Sequence, residues 1–169
     1  MSAEQDEWYR VFNPSFDVAA HDPLDPAKRY HEGVFVEVDL DTNRGTMFHV
    51  TGDVIAPSGM QYDEKTRYSA LNSANLYKCP QIGWIRKADF DAGRVSAILS
   101  ALPTPTKQQG LNFWGTGHRT GYTEYIWTKE NGEPYKPGEE RRPVIKCNEW
   151  THQLAIPALT DAGILHATR

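Results

Sequence analysis

The chain has 169 residues, 39% of them apolar, with 18 Lys and Arg against 22 Asp and Glu, a net charge of −4. That length suits one domain with a sizeable core, and the acidic balance, with no basic run longer than Arg141-Arg142, leads us to expect no nucleic-acid partner. No stretch nears the ~18 apolar residues of a transmembrane segment, and the acidic first ten residues lack the apolar core of a secretory signal, so the expectation is a cytoplasmic protein with free thiols at Cys79 and Cys147.

Residues 1–28 carry Asn13-Pro14, Asp22-Pro23 and Asp25-Pro26, turn signals that predict an extended arm on the surface. The domain proper is then 29–169. From His31 the chain is β-prone, with Val34, Val36 and Val38 on one face and His31, Gly33, Phe35 and Glu37 on the other. Asp39 to Gly45 is a turn, and Thr46 to Thr51 a second strand, which makes a hairpin. Met60 to Tyr68 and Cys79 to Ile85 read as further strands. Phe90, Val95, Ile98, Leu99 and Leu102 form the apolar face of a helix over 88–102, with Asp89 as candidate cap and Gly93 as a weak point. Gln108 to Gly121 is a Gly-rich loop bearing Phe113, Trp114 and His118, and Tyr122 to Thr128 alternates like a strand. Asn131 to Arg142 is a polar loop. The last helix spans about 146–162, carries Trp150, Leu154, Ala158 and Leu159 on one side, and is expected to kink at Pro157 and end at Gly163.

The chemistry-bearing residues stand at the ends of these elements. Cys147 heads the last helix, where backbone N–H groups and the helix dipole favour a thiolate. His31 opens a strand, a rigid place for a general base. Cys79 and His152 read as structural or surface residues. The loop with Trp114 and His118 is a candidate substrate-binding element, together with Asn148 and Trp150 beside the cysteine. No cofactor motif is visible, and no pair of residues shows metal-ligand spacing.

His-x-Gly-Val-Phe-Val at 31–36, Gly-Thr-Met-Phe-His-Val at 45–50 and Cys147-x-Glu-Trp-Thr ahead of an apolar helix occur in an order that resembles the circularly permuted papain-like proteins. That group includes lecithin:retinol acyltransferase-like enzymes and NlpC-type hydrolases. The chain is also similar to uncharacterised fungal proteins with an Asn-Cys-Gln-x-Trp type motif. The resemblance implies an α+β fold, an antiparallel sheet packed against helices, with the nucleophile at the N-terminus of the C-terminal helix. It implies thioester chemistry on a small-molecule, acyl or peptide substrate, with Cys147 as nucleophile, His31 as base and His49 as the third, orienting residue. Lys146 stands where the pattern has asparagine, and Asn148 where glutamine or glutamate is common. If the hairpin turn centres near Thr42, His31 and His49 share a face but stand on the order of 13 Å apart at ~3.3 Å per residue, and Thr51 or Asp53 is the alternative third residue. A non-catalytic binding module, or a biosynthetic enzyme using the His/Cys pocket for non-covalent acid–base chemistry, is the alternative function.

Overall fold

The computed structural model describes residues 7–113 and 124–169. In chain order the strands are β1 (Trp8–Phe12), β2 (Ser15–Phe16), β3 (His31–Glu32), β4 (Val34–Asp39), β5 (Arg44–Thr51), β6 (Gln61–Tyr68), β7 (Leu76–Lys78), β8 (Gln81–Arg86), β9 (Gln109–Leu111) and β10 (Tyr125–Trp127). The helices are α1 (Lys87–Asp91), α2 (Arg94–Ser100), α3 (Cys147–Glu149) and α4 (Ile156–Asp161), with a π-helical segment, Trp150–Ala155, joining the last two. The fold is mixed α+β with antiparallel sheets.

The main sheet has the strand order β6-β5-β4-β1-β8, and a smaller one runs β3-β2-β7. The arm expected over 1–28 is therefore corrected in part. Trp8–Phe12 is an interior strand between β4 and β8, because its run of aromatic and β-branched residues fits a two-sided buried position. Asn13 stays buried by donating from Nδ2 to the Gly33 carbonyl (2.9 Å).

Two apolar layers flank the main sheet. Val11, Val34, Val36, Phe48 and Val50 pack with Val95, Leu99, Trp150, Ala155 and Leu159 of the helices. Phe12, Phe16, Phe35, Met47 and Ala70 form the second cluster. The alternation Val34/Phe35/Val36 thus feeds both layers, as strand geometry requires.

The helix expected over 88–102 is split into α1 and α2 at Gly93, whose φ of 76° is left-handed. Asp89 does not cap it; its carboxylate accepts from Arg94 (2.6 Å). The expected kink at Pro157 takes the form of the π-helical segment just before it. Proline has no N–H for the carbonyl four residues back and its ring crowds that carbonyl, so a widened turn accommodates it. Gly163 (φ 71°) closes α4, with Ile164 N–H on the Leu159 carbonyl (2.9 Å) and Gly163 N–H on that of Thr160 (3.0 Å).

Candidate active site

The hairpin brings the two histidines together. Phe35 pairs with Met47 and Val34 with Phe48, so the register is shifted two residues from that of a turn centred on Thr42. A bulge between Glu37 and Asp39 and the left-handed Asn43 (φ 55°) absorb the difference, while the Asp39 carboxylate accepts from Asp41 N–H (2.9 Å). Carried along the strand, Gly33 faces His49, and His31 is two residues on, not four. His31 Nε2 lies 2.7 Å from His49 Nδ1, which replaces the separation anticipated from the sequence.

The close approach depends on Gly33. A Cβ there would stand 2.6 Å from the Phe48 carbonyl oxygen, 2.6 Å from Met47 Cε and 2.9 Å from His49 Cβ.

On its other side, His49 Nε2 lies 3.0 Å from Asp63 Oδ2, its direct partner across β5 and β6. These contacts fix the tautomers. The Asp63 carboxylate can only accept, so His49 carries its proton on Nε2. His49 Nδ1 is then an acceptor, and His31 must donate from Nε2. The lone pair of His31 is left on Nδ1. Of the alternative third residues, Thr51 pairs with Gln61, and Asp53 caps a turn by accepting from Ile55 and Ala56 N–H (2.9 Å each).

Cys147 opens α3, as the sequence suggested. Its Sγ has two acceptors in reach, the Tyr30 carbonyl (3.8 Å) and Asn148 Oδ1 (3.7 Å), and Glu149 Oε1 accepts from Lys146 N–H (2.9 Å), which ties off the first turn. The helix head rests on the segment around β3 through Asn148. Asn148 Nδ2 donates to the Tyr30 carbonyl (2.8 Å) and to Glu32 Oε2 (2.7 Å), and its Oδ1 accepts from Arg29 (3.0 Å). Glu32 Oε1 also meets His152 Nε2 at 3.0 Å. Asn148, expected to bind substrate, lines the cleft beside Cys147, and its amide also holds the helix of Cys147 against the strand of His31.

Cys147 and His31 line one cleft of about 640 Å³. Its walls are the segment 18–30 on one side and Val54, Ile55 and Met60 of the β5–β6 connection on the other. Trp150 is not part of it. The residue is fully buried in the helix-side core, in the same apolar cluster as Cys147, which it backs from the core side. Trp114 and His118, the other expected binding residues, lie outside the described residues.

The model of a family of unknown function, DUF6540, matches residues 18–166. The chain belongs to the DUF6540 family. No curated protein and no solved structure matches it.

In this DUF6540 chain the cysteine and the two histidines rest uncharged. Burial pushes the Cys147 thiol up, reinforced by the Glu32 and Glu149 carboxylates and opposed by a Glu32 backbone hydrogen bond and Arg29. Burial, then the neighbouring His49, lowers His31 to about 4. Burial also lowers His49, against the pull of Asp63. The direction for Cys147 is opposite to the thiolate expected at the helix head, and burial is its largest cause.

Sequence reading missed Asp63, Glu32, Arg29, Asp22 and Asp25. The last three form an ion cluster with Lys146. Lys146 Nζ meets Asp22 Oδ2 at 2.5 Å and Asp25 Oδ2 at 3.6 Å; Arg29 pairs with Asp25 and, at 2.8 Å, with Glu149. The available signal was the lysine itself at an N-cap, where it has no acceptor to offer and must serve another purpose. Among the described residues no helix is long and apolar enough to cross a membrane.

Proposed function

We propose that this chain is a cysteine-dependent hydrolase or acyltransferase of the permuted papain-like kind, acting through a thioester on an amide, ester or acyl-type substrate. The observation that carries the reading is the sharing of one cleft by Cys147, at a helix head, and His31, whose far nitrogen is held by His49 and Asp63.

The tautomer leaves His31 Nδ1 as the base. Since both groups rest neutral, the thiol proton passes to Nδ1 as sulfur attacks the carbonyl carbon, not before. The imidazolium so formed donates from Nε2 to His49, which donates to the Asp63 carboxylate, so the new charge is compensated across the sheet. Backbone N–H groups of the first helical turn, those of Cys147 and Asn148, receive the oxyanion. Collapse expels an amine or alcohol that takes the proton from His31, leaving the acyl group on sulfur. Water or another acceptor, deprotonated by His31, then displaces Cys147 as the thiol.

One observation favours the second reading, a non-catalytic binding module on the same fold: the thiol's hydrogen-bond acceptors are the Tyr30 carbonyl and Asn148 Oδ1. Turnover of a panel of p-nitrophenyl esters and anilides by the parent, Cys147→Ala and His31→Gln separates the two. The proposal expects both variants to lose about 10²-fold or more. Undiminished turnover in Cys147→Ala overturns it.

A further inference from the structure

We propose that residues 18–30 are the substrate-facing wall of the cleft and that Lys146 and Asp22 are the positioning residues that clasp this wall shut, setting how large a group reaches Cys147. The bearing on substrate size rests on the cysteine-enzyme reading; the clasp itself does not.

The segment leaves β2 and returns at β3. At its flanks it is anchored by backbone contacts, Asp17 N–H to the Asn75 carbonyl (2.8 Å) and the pairing of Phe16 with His31. Between them its turn is self-contained, with Asp25 N–H on the Asp22 carbonyl (3.2 Å) and Leu24 N–H on Asp22 Oδ1 (2.9 Å). What fastens the turn to the body is side-chain chemistry. Asp22 Oδ2 accepts from Lys146 Nζ (2.5 Å) and from Gln109 Nε2 (2.7 Å). Asp25 completes the junction through Lys146 and Arg29.

The junction is well shielded. The side chains of Lys146 and Asp22 are 17% and 20% exposed, so the pair is stronger than an exposed one. It is also directional in sequence. Lys146 is bonded to Cys147, so the cation that holds the wall is the residue before the nucleophile. The lining that this wall gives the cleft is mixed: Val18, Ala20, Pro23, Pro26 and Ala27 are apolar and small, and His21, Lys28 and Tyr30 stand among them. The small apolar residues exclude by shape, so the position of the wall sets the size of the group admitted, while its polar residues can bond to what enters.

The test uses the full chain with Cys79→Ser as background. Cys147 modification is timed with a compact reagent, iodoacetamide, and a bulky one, N-phenylmaleimide, in the parent, Lys146→Met, Lys146→Arg and Asp22→Asn. Hydrogen exchange over 18–30 is followed in parallel. Lys146→Met and Asp22→Asn are expected to raise the bulky-to-compact rate ratio about tenfold and to speed exchange in 18–30, with Lys146→Arg close to the parent. On esters of graded acyl size, the same two variants shift KM more than kcat. An unchanged rate ratio with unchanged exchange overturns the clasp. A changed ratio in a protein without turnover upholds the clasp and counts against the cysteine-enzyme reading alone.

Discussion

The histidines and the cysteine are held in unlike ways. His31 and His49 sit beside a hairpin whose position is set by main-chain pairing, a tight glycine and a fully buried face. Cys147 sits on a helix head whose ties to residues 22–32 are side-chain hydrogen bonds and ion pairs. Main-chain pairing tolerates changes of surface charge and fails when the backbone cannot approach. Side-chain ties fail one charge at a time and leave the fold standing. The histidines are thus fixed by the fold, and Cys147 is adjustable against them.

The largest break is on the hairpin. Gly33→Ala places a methyl within 3 Å of a backbone carbonyl and of His49, and is expected to cost ~2–3 kcal/mol in urea unfolding and to disrupt the histidine pair. Next comes acid. A histidine whose pKa is about 4 folded and 6.5 unfolded binds fewer protons in the folded state between those values. Stability is therefore fully present above 6.5 and falls as the pH drops towards 4, by at most about 3 kcal/mol. His49 contributes with the same sign. Urea midpoints of the parent should fall across this window, and those of His31→Gln should fall less.

On the other side of the comparison, Arg29→Met removes the partner of Asp25, Asn148 and Glu149 and is expected to cost about 1 kcal/mol, with the hairpin's exchange protection unchanged. The smallest effect on stability is Asp63→Asn. Its side chain is half exposed, so unfolding should move by less than ~0.5 kcal/mol. Turnover should nevertheless fall about tenfold or more, because His49 loses the anion that fixes its tautomer.

The same contrast explains what could be read from the sequence. The hairpin, the helix headed by Cys147 and the Gly163 cap rest on local periodicity and capping, and each is found where expected. The pairing of His31 with His49 turned on a two-residue shift of register, decided by a bulge and by Asn43, which strand alternation does not report. Asp63 comes from a third strand, and Asp22 reaches Lys146 from 124 positions away, so no spacing pointed to either. Trp150 shares a helix face with Cys147 but is wholly enclosed in the core, whereas Cys147 reaches the cleft. β1 was obscured by Asn13-Pro14, which reads as irregular chain although it only ends the strand.

The most direct test of the account is the mass of the protein quenched during reaction with p-nitrophenyl acetate, with the modified residue located by peptide mapping, in the parent and in His31→Gln. The account predicts an acetyl group on Cys147 that forms and decays in the parent and forms far more slowly in His31→Gln. Acetylation of Cys147 at equal rates in both proteins, or turnover with no acyl group on Cys147, would contradict it.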